Sequence, residues 1–126
     1  MKHLALVAAV CLLIVSSVVD ADLITPNPNP AGNTITVDTA DRYNSFNSFD
    51  NFGKIEIESG GSLENSSSPN TANLYNSHGG AIICAAGGTL TNNSRIVNWK
   101  SGAMINAGVL NNNGSIDNQE GGTYEQ

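Results

Sequence analysis

Charge is the first shortage. Asp, Glu, Lys and Arg make up 13% of the 126 residues, with five basic residues against eleven acidic ones and a net charge of −6. That charged share is about half the usual one. An acidic surface so poor in Lys and Arg argues against nucleic acid and anionic membrane as partners. Cysteine is scarcer still. Cys11 lies in the apolar N-terminal stretch and leaves Cys84 alone, which excludes a disulfide scaffold. Histidine is limited to His3 and His78, too few and too far apart to suggest a metal site. After Ala21 no window carries apolar residues at 3.6-residue spacing, so no helix is expected. The length allows one domain, and the roughly 105 residues left after a leader would bury only a modest core.

What is present begins with the leader. Lys2 and His3 precede an apolar run from Leu4 to Val19, and Val19-Asp20-Ala21 supplies small residues at the cleavage positions. Residues 1–21 are therefore read as a signal peptide. The run is short for a bilayer core of roughly 30 Å, and no basic stop-transfer cluster follows it. Export to the extracellular space or cell surface is expected, with no membrane attachment after cleavage. Residues 22–52 read as an extended Pro/Asn-rich spacer with an N-terminal cap strand, because three X-Pro steps precede the alternating Thr34-Ile35-Thr36-Val37.

From Gly53 the chain restates Gly-x-apolar-x-Asn. Full matches are Gly61-Leu63-Asn65, Gly88-Leu90-Asn92, Gly102-Met104-Asn106, Gly108-Leu110-Asn112 and Gly114-Ile116-Asn118. Near matches include Gly53-Ile55-Ile57, Ala72-Leu74-Asn76, Gly80-Ile82-Cys84, Ser94-Ile96-Asn98 and Gly122-Tyr124-Gln126. Leu90 and Leu110, Ile96 and Ile116, and Met104 and Tyr124 each lie 20 residues apart. Three short strands per 20-residue period predict an all-β, right-handed parallel β-helix with three-sided coils over residues 53–126. With a period of two, the apolar and Asn positions point to one side, the inside. Stacked coils then bury apolar columns, and inward Asn side chains form hydrogen-bonded ladders. Gly permits the tight corner geometry. Cys84 takes an Asn position and reads as a small buried filler. The register breaks at 66–70, which reads as a loop insertion, and between Ile82 and Leu90, which runs two residues long.

The array resembles the Asn-rich right-handed β-helices of secreted bacterial and archaeal surface proteins. The stretch Arg42-Tyr43-Asn44-Ser45-Phe46-Asn47-Ser48-Phe49-Asp50, followed by Gly60-Gly61-Ser62-Leu63-Glu64-Asn65, is also similar to the N-terminal region of filamentous haemagglutinin-type exoproteins. There a Tyr-Asn-x-Phe stretch precedes the start of the helix. The resemblance implies a secreted or surface-attached stalk or adhesion module, without catalysis. Read from the residues alone, Tyr43, Phe46, Phe49 and Phe52 recur every three positions. They are expected to cap the open end of the apolar column, with a sugar-stacking patch as the sharper alternative.

Candidate chemistry is thin. Glu56 and Glu58 share one strand face and read as a solvated pair, and Asp117, Glu120 and Glu125 fall on the last coils. Neither set supplies two carboxylates across a groove, as glycosidic catalysis requires. The Gly-Gly-x-Gly-x-Asp repeats of calcium-binding solenoids are absent, as is a Gly-x-Ser-x-Gly elbow. Ice binding needs outward Thr rows, yet Thr89-x-Thr91 is followed 20 residues on by Val109 and Asn111. No catalytic residue, cofactor or metal is therefore expected. Of the Asn-x-Ser sequons at Asn65, Asn92 and Asn113, the first two point inward and Asn113 sits at a turn, the expected glycosylation site. The repeat also stops in mid-coil at Gly122-x-Tyr124-x-Gln126, which raises the expectation of a longer native protein or head-to-tail self-association. The functional expectation is a structural or adhesive surface module. The alternative is a carbohydrate-binding or carbohydrate-active β-helix protein with surface glycans as partners.

Overall fold

The computed structural model describes residues 22–38, 41–66 and 72–126. The signal-peptide reading, and most of the expected loop insertion, lie outside the described residues. Five rungs stack into one solenoid. The first holds β1 (Asp22–Leu23), a bridge from Asn29 to Asn51, and β2 (Thr34–Val37). The second holds β3 (Asp41–Asn44), β4 (Phe49–Asn51) and β5 (Lys54–Ile57), and the third β6 (Ser62–Asn65), β7 (Asn73–Asn76) and β8 (Ala81–Cys84). The fourth comprises β9 (Thr89–Asn92), β10 (Arg95–Asn98) and β11 (Ala103–Asn106). The fifth comprises β12 (Val109–Asn112), β13 (Ser115–Asn118) and β14 (Thr123–Glu125).

From β2 onward every third strand joins the same sheet, and β1 pairs with β3. Face A runs β1-β3-β6-β9-β12, face B runs β4-β7-β10-β13, and face C runs β2-β5-β8-β11-β14, with every pair parallel. The architecture is thus the all-β parallel solenoid expected, with no helix among the described residues. From β1 to β12 the chain completes four turns.

Residues 22–52 are more than an extended spacer, because β1 to β4 already lie in the three sheets. The Pro-rich stretch supplies the B arm of the first rung. Asn29 N–H donates to Asp50 O and Asn29 O accepts from Phe52 N–H, so both point at the second rung. In a strand the neighbouring residues turn their backbone groups the other way. Pro28 and Pro30 therefore sit where a missing N–H costs no ladder bond. The 20-residue period also holds only in part. Arg95 pairs with Ser115, 20 residues on, but Ala81 pairs with Ala103, 22 on, and Ser62 with Thr89, 27 on. Part of the excess falls between strands at the corners: residues 85–88 link β8 to β9, where Ala107 and Gly108 alone link β11 to β12.

The inward columns form the core. Leu63 and Leu90 on face A, Phe49, Leu74 and Ile96 on face B, and Ile55, Ile82 and Met104 on face C are all buried. Each contributes about 1.5–3 kcal/mol by leaving water. Leu110, Ile116 and Tyr124 continue the columns into the fifth rung but are only partly buried. Phe46 and Phe49 do not cap an open end, and the side chain of Tyr43 lies outside the described residues. Phe49 is fully buried in the face B column and registers with Leu74, while Phe46 packs beside it at 6.0 Å between ring centroids.

Two Asn ladders run beside these columns. On face B, Asn29 Nδ2 donates to Asn51 Oδ1 at 2.6 Å, Asn51 to Asn76 at 2.7 Å, Asn76 to Asn98 at 2.7 Å and Asn98 to Asn118 at 2.8 Å. On face A, Asn44, Asn65, Asn92 and Asn112 repeat the pattern at 2.8 Å per step. The second amide hydrogen reaches backbone of the next rung, from Asn76 to Ala103 O at 2.9 Å and from Asn92 to Ser115 O at 2.9 Å. The ladder amides below the fifth rung are fully buried yet hydrogen-bonded, the condition under which burying them costs little.

The glycine of the repeat serves a different purpose from the corner flexibility expected of it. A Cβ on Gly102 would collide with Asn76 O of the rung below and with Asn98 Oδ1. The residue is Gly because backbone and ladder amide approach it closely. Positive φ belongs instead to neighbours such as Gly79.

Candidate functional site

The corner between faces B and C carries the most distinctive surface. In the third, fourth and fifth rungs the inward Asn is followed by a tight turn. Gly80 N–H donates to Ser77 O at 2.9 Å, Gly102 to Trp99 O at 3.0 Å and Gly122 to Gln119 O at 2.9 Å. The two central residues of each turn have positive φ: His78 and Gly79, Lys100 and Ser101, Glu120 and Gly121. That pairing is the signature of a type I′ turn.

Stacking these corners aligns side chains from successive rungs. Phe52 meets His78 at 5.7 Å between ring centroids, and His78 meets Trp99 edge-on at 5.9 Å. Lys100 places its Nζ 4.1 Å from the Trp99 ring centroid. Aromatic pairs of this kind contribute about 0.5–1.5 kcal/mol each, and an exposed cation–π contact about 0.5–1 kcal/mol. Trp99 Nε1 is buried with no acceptor. A shallow recess of about 200 Å³ opens beside Phe52, lined by Asn33, Lys54 and Gly79 among others. A second recess, of about 240 Å³, lies beside β1, where Arg42 Nη1 reaches Asp22 Oδ2 at 3.0 Å.

Sequence reading missed this ridge. The signal was available once the Asn ladder was laid out, because Phe52 and Trp99 directly follow Asn51 and Asn98, and His78 follows Asn76 by two residues. The triplet spacing that drew attention instead distributes its three phenylalanines: Phe46 and Phe49 pack against the core and Phe52 joins the ridge.

The acidic residues are dispersed. Glu56 pairs with Lys54 at 2.7 Å on face C, and exposed Glu58 lies past the end of β5. Asp117, on face B, pairs with Arg95 at 2.7 Å, Glu120 sits in a turn and Glu125 lies on face C. Among the described residues no group of three His, Cys, Asp or Glu is placed to hold a metal ion. Asn65 and Asn92 are fully buried in the face A ladder, while Asn113 is exposed, its Nδ2 donating to Asn93 Oδ1 at 2.9 Å. Burial pushes the Cys84 thiol above its ordinary value, partly offset by backbone hydrogen bonds from Gly108 and Val109. A raised thiol is the less nucleophilic one. Comparison of the chain with protein-family models, with curated proteins and with solved structures found no match.

Proposed function

We propose that this chain is a structural and adhesive module, secreted or held at the cell surface, that acts as a rigid rod rather than as a catalyst. The observation that carries the reading is the face B ladder, an unbroken file of amides from Asn29 to Asn118 through all five rungs. Such a ladder fixes register along the axis at every step, the property a stalk requires. The apolar leader supports export, and the Asn-rich array supports kinship with the β-helices of surface proteins and haemagglutinin-type exoproteins. In a host that glycosylates, exposed Asn113 is the sequon to carry the sugar.

The Phe52–His78–Trp99 ridge favours a second reading, binding of surface glycans. Aromatic rings offer apolar faces to sugar rings, and the exposed Lys100 amine beside Trp99 offers a donor to hydroxyl or acid groups. Two measurements test the readings, and the second separates them. Surface labelling of intact cells expressing the tagged protein is expected to be positive, and label confined to the interior would overturn both. A glycan array probed with the purified protein is expected to show no selective retention or cleavage. Retention of one glycan class that Trp99→Ala abolishes would replace the first reading with the second.

A further inference from the structure

We infer that face C is a self-complementary surface on which two copies of this chain pair side by side with antiparallel strands. The inference stands independently of the proposed function. In β5, β8 and β11 the first and third residues point outward: Lys54 and Glu56, Ala81 and Ile83, Ala103 and Ile105. Two of these rungs therefore present one small and one large apolar side chain, and the third presents one cation and one anion. Ile105 is 41% exposed, an unusual position for a large apolar residue in the middle of a sheet.

A twofold axis laid along the solenoid axis keeps the rungs level and reverses the strands. First positions then face third positions of the other copy. Ile83 meets Ala81, Ile105 meets Ala103, and Lys54 meets Glu56, each contact made twice as an isologous interface requires. Large side chains fill the space above small ones, which is how two sheets interdigitate at roughly 10 Å. The Lys54–Glu56 pair within each copy becomes a square of alternating charges. The other twofold, along the strands, sets third position against third. It would put Ile83 on Ile105 and Glu56 on Glu125, crowding one side and opposing like charges. The pattern selects the first arrangement.

Head-to-tail stacking is the competing mode of self-association. It needs an open strand edge on the first rung, and there Pro28 and Pro30 hold the outward positions of arm B without an N–H to offer. The face C footprint is about 20 by 13 Å from strand spacing and rise, well below the roughly 800 Å² per partner of a standard interface. The dimer is accordingly weak and in fast exchange.

Sedimentation equilibrium of the purified protein over a wide concentration range tests this. Wild type is expected to show a monomer–dimer equilibrium, weakened at least about tenfold in Lys54→Glu, in Glu56→Lys and in Ile105→Glu. The charge variants add a sharper readout. Neither Lys54→Glu nor Glu56→Lys should self-associate, whereas an equal mixture should form a mixed dimer, because two acids then face two bases. The double swap Lys54→Glu with Glu56→Lys should restore the wild-type equilibrium. Circular dichroism confirms that each variant keeps its fold, as outward substitutions should. A protein that stays monomeric at the highest concentration overturns the inference. So does association that Ile105→Glu and both charge variants leave unchanged, which would locate the contact at the rung edges or on another face.

Discussion

Asn106 stacks directly on Cys84, one rung below it on face C, and its Oδ1 is buried with no donor. In both ladders the donor comes from the amide of the lower rung. Here the lower rungs supply Cys84, Ile57 and Val37, none of which carries an amide. Asn106 therefore belongs to a column with no ladder. Its Nδ2 finds only Gly108 O at 3.4 Å.

Replacing Asn106 by Val should accordingly stabilise the protein, by about 1 kcal/mol, since it removes an unpaired buried acceptor and extends an apolar column. The same change at Asn76 should do the opposite. It would strand the Asn51 amide, the Asn98 carbonyl and Ala103 O, a loss of about 3 kcal/mol or more. Urea denaturation of the two variants checks the pair. Equal effects at both sites would mean that the ladder contributes no specific stability.

Asn76 and its ladder partner Asn98 show where the sequence could be read, and the first rung shows where it could not. Asn76 and Asn98 fall into a repeated word, and a repeated word at regular spacing can only mean stacked equivalents. The apolar columns and the buried Cys84 followed from that. The first rung was hidden because its B arm is a single bridge at Asn29 between prolines, and proline normally signals the absence of a strand. Its role depends on which way Asn29 points its backbone, a fact settled only by the second rung. The aromatic ridge was hidden for a related reason: Phe52, His78 and Trp99 become neighbours only after the corners are aligned, and those corners differ in length.

Corner chemistry yields a second prediction. Ser101 sits at φ 66° in a turn whose equivalents in the third and fifth rungs carry Gly79 and Gly121. An L side chain in the left-handed region costs about 1–2 kcal/mol. Ser101→Gly should therefore raise the thermal midpoint, offset in part by the greater entropy of an unfolded glycine. Gly79→Ala should lower it. Differential scanning calorimetry on both variants reads the sign. A destabilising Ser101→Gly would show that the Ser side chain contributes something the turn geometry does not reveal.

Cys84 links burial to pH. Its thiol is raised above the ordinary value of 9.0, chiefly by burial. Above that ordinary value the unfolded chain loses its thiol proton while the folded chain keeps it, so stability falls as pH rises toward the folded value. Below it both states are protonated and the thiol adds no pH dependence. The difference in stability between wild type and Cys84→Ala should be flat through neutral pH and shift against the wild type in alkali. Iodoacetamide should label Cys84 slowly in the native protein and rapidly in denaturant. Rapid labelling of the native protein at neutral pH would contradict a buried thiol.

The last prediction concerns depth along the axis. Ile96 and Ile116 occupy the same face B column, one rung apart, but Ile96 is fully buried and Ile116 only partly so. Asp117 lies beside Ile116 on the outward side, paired with Arg95 at 2.7 Å. Ile96→Asp introduces an unpaired charge between Leu74 and Ile116, with no route to water, and should unfold the stack. Ile116→Asp has solvent within reach and should fray the fifth rung while leaving rungs two to four protected. Asp117→Ala removes only an exposed ion pair and should cost about 1 kcal/mol or less. Hydrogen exchange resolved by strand would display the graded outcome: global loss, loss confined to β12–β14, and near-native protection. If Asp117→Ala proved more damaging than Ile116→Asp, the inward register of the fifth rung would be wrong.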